Sequence, residues 1–391
     1  MKEDFLNFQA QTTPHPLLEE VIKAEGSYIY TSDGKAHLDF VAGVSACGLG
    51  HRHPAVIQAI KDQLDHYMHV MVYGEYALAP AVEYCKLLAA NLPPQLQSTY
   101  LVNSGTEAID GAMKLARRAT GRKQIIAAKN GYHGNSYGAL SLMDYKERTL
   151  PFEPMVGEIT HIEFNQVTCL SVITTNTAAV VLETIQGGAG FILPEKDYLV
   201  QIKQRCEEVG ALLILDEIQP GFGRTGKLFG FEHFGITPDI LVIGKAMASG
   251  LPCGAFVSSK KIMNTLSDQP KLGHITTFGG NPVIASAALA TLKFLLESNV
   301  ISLVNEKEKL FRSLLQHRLI KEIRGKGLML AILLENENHA NELVLRAKKE
   351  GLILFWLLFE KKAVRISPPL TISNQEIEIG CHQIIKILNQ L

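Results

Sequence analysis

Apolar and polar positions alternate in strand-length and helix-length segments over most of the chain. Between about residues 97 and 260, predicted strands at 98–102, 124–128, 178–183, 211–216 and 240–243 alternate with helical patterns, including one ending at Thr120 and one over 196–208. This order is typical of a mostly parallel sheet covered by helices on both faces. The predicted fold class is therefore α/β.

The pattern differs on either side of this region. Near the amino terminus, alternating apolar residues flank Asp33-Gly34 and predict a hairpin over 28–40. After Pro282, helices are predicted at 283–297, 301–319, 339–349 and from 374 onward, and strands at 328–334, near 352–359 and at 363–366. We therefore expect a small-domain segment at 1–46, a large domain at 47–281 and a small α+β domain at 282–391.

Composition narrows the classes of function. The 391 residues are 47% hydrophobic and carry a formal net charge of −1, so no basic field exists to attract nucleic acid or anionic lipid. The longest apolar run, 351–359, is too short to span a bilayer, and the acidic first residues do not resemble a secretion signal. Six scattered cysteines without a C-x-x-C pair favour a reducing compartment. We expect a cytoplasmic enzyme without nucleic-acid or membrane partners.

Two apolar runs end in groups of opposite charge. Residues 211–215 lead to Asp216, and residues 240–244 lead to Lys245. Pyridoxal phosphate needs this pair, because a lysine amine condenses with its aldehyde and a carboxylate keeps its ring nitrogen protonated. Glu183 ends a third run, and burying three such groups without a ligand would be costly. The constellation therefore predicts a pyridoxal-phosphate site.

Other motifs suit the same cofactor, although each has an ordinary structural alternative. Ser104 and Glu107 form a capping-box pattern at a helix start, where free amides bind phosphate. Tyr132 lies between two glycines of a loop and could cover a pyridine ring. The glycine-rich segment 276–282 could bind phosphate or simply link domains. Arg365, in an apolar strand, suits bidentate binding of a carboxylate.

Two patterns suggest other chemistry. Residues 221–226 match G-x-G-x-x-G, which would indicate a nicotinamide oxidoreductase, but four residues separate them from their strand and no helix pattern follows. His51 and His53 lack cysteine or acidic partners at metal-ligand spacing, so no metal is expected.

These residues together resemble the class III, or ω-, aminotransferases of the fold-type I pyridoxal-phosphate enzymes, most closely the acetylornithine and ornithine aminotransferases. The most specific match is the segment 216–226, with Lys245 at the expected distance. The resemblance implies that Lys245 binds the cofactor and that Asp216 contacts the pyridine nitrogen. It also implies a homodimer with the active sites at its interface, where Thr277 reaches the phosphate of the partner subunit. The implied cofactor-binding residues are Ser104, Gly105, Thr106, Tyr132, His133, Glu183, Asp216, Ile218, Gln219, Lys245 and Thr277.

Two positions depart from the family pattern. Asn135 and Ser136 replace an arginine that commonly follows the His-Gly pair, and Gly188 replaces a glutamate that shields the carboxylate-binding arginine. Arg365, the implied substrate anchor, is retained. We therefore expect transfer of an amino group from an ω-amine or amino acid to a 2-oxo acid such as 2-oxoglutarate. Decarboxylation or amino migration on the same fold remains an alternative, whereas an oxidoreductase or a non-catalytic protein is a weaker one.

Overall fold

A computed structural model describes all 391 residues. The strands are β1 Val21–Glu25, β2 Tyr28–Thr31, β3 Ala36–Asp39, β4 Ser98–Val102, β5 Gln124–Ala128, β6 Ile159–Ile162, β7 Thr177–Glu183, β8 Leu212–Asp216, β9 Ile240–Gly244, β10 Gly254–Ser258, β11 Ile320–Lys326, β12 Met329–Leu334, β13 Leu352–Ile353, β14 Phe355–Trp356 and β15 Ala363–Ile366. The α-helices are α1 Lys2–Phe8, α2 Ala42–Ser45, α3 Pro54–Leu64, α4 Ala79–Ala90, α5 Gly105–Thr120, α6 Tyr137–Ser141, α7 Lys146–Thr149, α8 Tyr198–Val209, α9 Lys260–Met263, α10 Pro282–Glu297, α11 Val304–Leu314, α12 Glu337–Lys349 and α13 Asn374–Leu388. No helix is both long and apolar enough to cross a membrane.

A seven-stranded sheet forms the centre of the molecule, in the order β4-β10-β9-β8-β7-β5-β6. Its strands β5 to β9 pair in parallel, and β10 runs antiparallel to both of its neighbours. Every residue of β7 and β9 is buried, as expected for parallel strands covered on both faces. The predicted α/β class and mostly parallel sheet are confirmed.

Helix α5 covers one face of this sheet. Its buried residues Ile109, Ala112, Met113 and Ala116 recur at helical spacing, as the sequence pattern predicted. Glycine is required inside the helix at position 111, because a Cβ there would lie 2.3 Å from a ring carbon of Phe256 on β10. The helix therefore lies close against the sheet, and its amino terminus has a defined position above the strand ends.

Two smaller sheets lie outside the central one. The predicted hairpin forms β2 and β3, and β3 also pairs in parallel with β13, which connects the amino-terminal segment to the carboxyl-terminal part of the chain. The second small sheet has the order β11-β12-β15-β14. The pairing of β3 with β13 agrees with a small domain formed by both ends of the chain. The domain boundaries at residues 46 and 281 stay a prediction.

Two predicted elements were wrong in extent. The helix predicted over 301–319 covers only Val304–Leu314, and the unpredicted strand β11 follows it. Because β11 is an edge strand with mostly polar residues, it has no apolar period to detect. The strand predicted near 352–359 is two short strands, β13 and β14, which pair in different sheets.

Candidate active site

Three neighbouring strands bring the predicted charged groups together. Glu183 and Asp216 are register partners at the ends of β7 and β8, and Lys245 follows β9 directly. All three line one cavity of about 540 Å³. The carboxyl ends of parallel strands meet at the same sheet edge, which is where ligands bind in α/β folds.

Asp216 is the most enclosed of these groups and is held by two hydrogen bonds. Its Oδ2 lies 2.7 Å from Nδ1 of His133, and its Oδ1 accepts a hydrogen bond from the Ile218 amide at 2.9 Å. Burial by itself would lower the pKa of His133, but the hydrogen bond and charge of Asp216, together with the charge of Glu183, raise it overall. Both carboxylate oxygens of Asp216 are therefore hydrogen-bonded, which fixes the orientation of this side chain.

Glu183 fixes the loop that carries Tyr132. Its two oxygens accept hydrogen bonds from the amides of Tyr132 and Gly187, at 3.0 and 2.9 Å. Burial raises the pKa of Glu183 to about 7, and the charge of Asp216 contributes, while His133 opposes the shift. Gly187 lies close to two of these side chains, because a Cβ there would lie 2.6 Å from Oε1 of Gln219 and 3.0 Å from Oε2 of Glu183.

The backbone conformation of Lys245 is unusual, and its side-chain amine is unpaired, which favours a reactive role over a structural one. Its φ is +45°, in the left-handed region that non-glycine residues rarely adopt. Its amine makes no hydrogen bond or ion pair within the chain. Burial lowers its pKa, Asp216 and Glu183 oppose that effect, and Arg365 adds to it. A lowered pKa keeps more of the amine in its neutral, nucleophilic form.

The amino terminus of α5 opens into the same cavity. Oγ of Ser104 accepts a hydrogen bond from the Glu107 amide, which is half of the predicted capping box. The Glu107 carboxylate instead accepts from the amide of Asn103, one residue earlier than predicted. A Cβ at Gly105 would lie 2.7 Å from Ile218, so only glycine allows this close approach. The free amides at this turn suit a phosphate group.

The loop after Tyr132 packs directly on this helix start. Oγ1 of Thr106 lies 2.7 Å from Oγ of Ser136 and accepts a hydrogen bond from the Ser136 amide at 3.0 Å. Gly134 has a φ of +129°, and a Cβ there would lie 2.2 Å from Oγ1 of Thr106. Gly105, Thr106, Gly134 and Asn135 all line the cavity.

Arg365 lies on β15 at the far side of the cavity and is 6% exposed. Its Nε donates to the carbonyl of Trp356 at 3.3 Å, but its buried Nη1 has no partner. Burial lowers its pKa to about 10. A buried guanidinium with an unused donor is prepared for a carboxylate, since leaving it unpaired is costly.

The remaining predictions divide into residues inside and outside the cavity. Tyr132, His133, Ile218 and Gln219 line it. Ser104 caps the helix from just outside, and Thr277 is exposed elsewhere, with its Oγ1 3.4 Å from the Tyr73 hydroxyl. The structure of one chain therefore does not bring Thr277 to Lys245.

The two competing motifs have structural roles. Residues 221–226 form turns that lead to a 3-10 turn at Gly230–His233, and not to the helix that a dinucleotide motif requires. His51 lies 2.8 Å from Asp39, and His53 packs edge-on against Phe294.

The sequence reasoning missed two features of the site. Phe355, Trp356, Leu357 and Leu358 form a contiguous apolar wall of the cavity, here called the 355–358 wall. Their apolar run just before Arg365 was a detectable signal, but it was interpreted only as a strand. The second missed feature is Glu217. It is fully buried behind Asp216, where it accepts hydrogen bonds from Thr184, Gly230 and Phe231.

The residues present fit pyridoxal phosphate. The glycines at 105 and 134 leave the helix start approachable, the amine of Lys245 is unpaired, and Asp216 is hydrogen-bonded to His133 at the end of a neighbouring strand. This arrangement on a mostly parallel sheet defines a fold-type I pyridoxal-phosphate enzyme.

The chain belongs to the class III aminotransferases, because residues 9–388 match the family model described as aminotransferase class-III. It is 38% identical over 317 residues to a [LysW]-aminoadipate semialdehyde/glutamate semialdehyde transaminase of Sulfolobus acidocaldarius, covering 80% of this chain and 81% of that protein. It is 35% identical to an acetylornithine aminotransferase of Methanopyrus kandleri, covering 92% of this chain and 91% of that protein. The chain is therefore a transaminase that uses pyridoxal phosphate.

Solved structures agree with this assignment. The ornithine aminotransferase of Toxoplasma gondii superposes with a TM-score of 0.92 at 28% identity, covering 100% of this chain and 95% of that one. An aminotransferase of Bacillus anthracis superposes with a TM-score of 0.93 at 25% identity, covering 100% of this chain and 98% of that one. The predicted family, fold class, cofactor and type of reaction are confirmed.

Proposed function

We propose that this aminotransferase binds its 2-oxo acid acceptor through Arg365 and tolerates partners whose distal end is neutral. The observation that carries the proposal is the buried, unpartnered Nη1 of Arg365 beside the cavity. The donor is an ω-amine or amino acid of the acetylornithine or ornithine type, as the names of the relatives suggest. The acceptor is a 2-oxo acid, with 2-oxoglutarate the first to test.

The surroundings of residue 188 support a permanently open Arg365. A Cβ at Gly188 would lie 2.8 Å from a ring carbon of Phe359, and the Phe359 amide donates to the Gly188 carbonyl at 3.0 Å. The Phe359 ring also packs against Tyr145, with ring centroids 5.3 Å apart. A side chain at position 188 would collide with this ring, so no residue there shields the guanidinium.

The 355–358 wall supports a neutral distal end. Phe355 is the cross-strand partner of Arg365, and the Trp356 indole is held by a 2.8 Å hydrogen bond to Asn341. Asn135 contributes an amide to the cavity where an arginine would provide a second cation. A distal end without charge can pack against these groups without leaving a buried ion unpaired.

The proposed roles of the chain's residues follow from their positions. Bound pyridoxal phosphate supplies an aldehyde and an electron-withdrawing ring for exchange of the amino group. Asp216 would keep the ring nitrogen protonated, and His133 and the Ile218 amide orient its carboxylate. The Lys245 amine would take a proton from the substrate Cα and later return it. Ser104, Gly105 and Thr106 would hold the phosphate end.

The remaining cofactor residues surround the ring. Tyr132 and Ile218 would contact its two faces, and Gln219 would hydrogen-bond the hydroxyl oxygen attached to the ring. Glu183 holds the Tyr132 backbone and supports the network around Asp216.

We also propose that the enzyme is a homodimer with Thr277 serving the partner's site. Thr277 is exposed within a surface rich in exposed apolar residues, which are Met68, Met71, Tyr76, Val82, Ile275 and Phe278. Exposed apolar patches of this kind mark protein interfaces. The six unpaired cysteines suit the cytoplasm as its location.

Arg365→Lys tests the acceptor site. Lysine cannot rebuild a bidentate guanidinium–carboxylate pair, so the KM for 2-oxo acids should rise about tenfold or more, while the KM for an amine without a carboxylate should change little. The panel compares 2-oxoglutarate, pyruvate and an apolar 2-oxo acid, with product analysis to distinguish transamination from decarboxylation. Arg324→Lys, at a surface ion pair with Glu322, is the matched control. Equal weakening of amines and 2-oxo acids would show that Arg365 is only structural.

A further inference from the structure

The short element α2 is a left-handed turn and not an ordinary helix. The φ angles of Ala42, Gly43, Val44 and Ser45 are +49°, +59°, +60° and +67°. L-residues disfavour this conformation because it brings Cβ close to the following carbonyl oxygen, so successive residues in it are rare. A β-branched residue such as Val44 is a genuine outlier there. Four such residues in a row persist only where the surrounding contacts impose them.

A buried carboxylate at the end of β3 holds the start of this turn. Oδ1 of Asp39 accepts hydrogen bonds from the amides of Val41 and Ala42, at 2.8 and 2.9 Å. Its Oδ2 lies 2.8 Å from Nε2 of His51, and Asp39 is 1% exposed. The backbone of His51 forms two hydrogen bonds with that of Gly26, in the connection between β1 and β2. The carboxylate therefore joins the left-handed turn to an anchored side chain.

The turn places its last two residues at the active site. Val44 lines the cavity and is 37% exposed, whereas Ser45 is buried. Nε2 of Gln219 donates to Oγ of Ser45 at 3.4 Å, and Gln219 also lines the cavity. Oε1 of the same amide faces Gly187, where a Cβ would lie 2.6 Å from it. The Gln219 amide is thus confined at both of its ends, and the turn contacts the Nε2 end.

The same turn is bonded to the segment that follows Arg365. The Ser367 amide donates to the Phe40 carbonyl at 2.7 Å, and its Oγ donates to the Val41 carbonyl at 3.2 Å. Ser367 is fully buried and lies two residues after Arg365 in the chain. The turn therefore connects Gln219 with the strand that carries the proposed carboxylate anchor.

The strain of this turn does not serve the packing of the core. Val44 is partly exposed, and a glycine at that position would adopt the same φ without steric cost. A Cβ at Gly43 would meet only ordinary contacts, the nearest at 3.5 Å from the Cys47 sulfur, so no close approach of backbones requires the conformation. An outlier of this kind beside a ligand cavity points to a role in the site.

Building on the proposed contact between Gln219 and the hydroxyl oxygen of the cofactor ring, we propose that Asp39 and His51 are positioning residues of the transaminase. They hold the strained turn so that Ser45 fixes the Gln219 amide at the ring. Their role is indirect, because neither of them lines the cavity. Without the carboxylate, the two amides at the start of the turn lose their acceptor and the turn relaxes. Ser45 then withdraws from Gln219, and the contact with the ring weakens.

Visible absorption of the holoenzyme across a range of pH tests this connection. A hydrogen bond to the ring hydroxyl changes the pH at which the absorption of the bound cofactor changes. Gln219→Leu is the reference, because it removes the ring contact itself. Asp39→Ala and Ser45→Ala should move the midpoint in the same direction as Gln219→Leu and raise the dissociation constant of pyridoxal phosphate about threefold or more. Asp33→Ala, which removes an exposed ion pair with Lys35, is the matched control and should change neither value.

The outcomes separate this inference from the proposed function. A shifted midpoint in Gln219→Leu, together with a wild-type midpoint in Ser45→Ala or Asp39→Ala, would overturn the positioning role alone. A wild-type midpoint in all three variants would overturn the Gln219 contact as well. If Asp39→Ala does not fold, His51→Ala takes its place, because it keeps the amide contacts of the carboxylate and removes only its anchor.

A second substitution distinguishes positioning from a general loss of stability. Val44→Gly removes the steric cost of the left-handed turn, so the turn no longer needs its clamp. Added to Val44→Gly, Asp39→Ala should raise the dissociation constant of pyridoxal phosphate by less than about twofold, because the two substitutions act on the same turn and their effects do not add. An undiminished effect of Asp39→Ala in the Val44→Gly background would show that the carboxylate does not act through the turn, and would overturn the proposal.

Discussion

At the scale of single residues, backbone conformation separates the reacting lysine from ordinary ones. Lys245 holds a φ of +45°, which costs a non-glycine residue on the order of 1 kcal/mol or more. The preceding Gly244 is also confined, since a Cβ there would lie 3.2 Å from the Cys253 carbonyl and 3.5 Å from Gly105. This strain is retained because the turn aims an unpaired amine into the cavity beside Asp216.

Lys245→Ala should abolish transamination and leave the fold intact, because it removes the nucleophile and the proton carrier but no packing contact of the core. Borohydride reduction of the holoenzyme should attach the cofactor covalently to the peptide that contains Lys245. Lys203→Ala, which removes an ion pair with Asp239 away from the cavity, is the control. Attachment of the cofactor to any other lysine would contradict the assignment.

At the scale of elements, the start of α5 combines two tasks. Ser104 caps the helix, and the next two residues present their amides to the cavity. Helix α13 begins with an equivalent cap at Ser373, where a full capping box forms with Glu376, and Ser373 does not line the cavity. Comparing the two caps therefore distinguishes the effect of a cap on helix stability from its effect on cofactor binding.

Ser104→Ala and Ser373→Ala should each lower the free energy of unfolding by about 1 kcal/mol, because each leaves helix amides without their cap. Only Ser104→Ala should also weaken retention of pyridoxal phosphate, since it loosens the turn at the phosphate end. Urea denaturation measures the first effect and cofactor titration of the apoenzyme the second. Equal cofactor affinity in both variants would exclude a phosphate-binding role for this turn.

At the scale of the whole molecule, we expect each active site to be built from residues of two chains. Thr277 lies far enough from Lys245 that it is absent from the cavity lining of its own chain. In the proposed dimer, each site combines Lys245 of one chain with Thr277 of the other.

Mixed dimers test this arrangement. Lys245→Ala and Thr277→Asp should each be inactive alone, the second because an added carboxylate repels the phosphate. After the two chains are mixed and allowed to exchange, one site of each mixed dimer has both native residues, and activity should return. Mixed dimers without activity would show that Thr277 does not act across the interface.

A buried carboxyl away from the cavity should influence the stability of the whole fold. Burial raises the pKa of Glu217 from 4.5 to about 7. Between these values the folded chain holds a proton that the unfolded chain has lost, so this group lowers the free energy of unfolding as the pH rises, by up to roughly 3 kcal/mol.

Glu217→Gln should make the stability of the apoenzyme fall less steeply between pH 4.5 and 7, because glutamine does not titrate. Urea denaturation across that range measures the slope, with Glu322→Gln at an exposed ion pair as the control. Glu183, whose pKa is also raised to about 7, should leave a residual slope. An unchanged slope would mean that Glu217 is ionised in the folded chain throughout.

The sequence by itself determined five of the seven strands of the central sheet and the charged groups at their ends. Apolar runs of strand length and helical periods depend on near neighbours in the chain, so the residues of β4, β5, β7, β8 and β9 were identifiable, and Asp216 and Lys245 with them. Edge strand β11 has no such period, and the apolar run 351–359 serves two sheets, so neither could be assigned from local pattern.

The tertiary structure alone decided which distant residues meet. Pairing of His133 with Asp216, the collision that keeps residue 188 a glycine beside Phe359, and the approach of the loop after α2 to the Lys245 turn all join segments far apart in sequence. Such contacts depend on strand order and on the close approach of backbones, which no local pattern of residues encodes. The chemistry could therefore be predicted from the chain, whereas the shape that selects substrates emerged only from the fold.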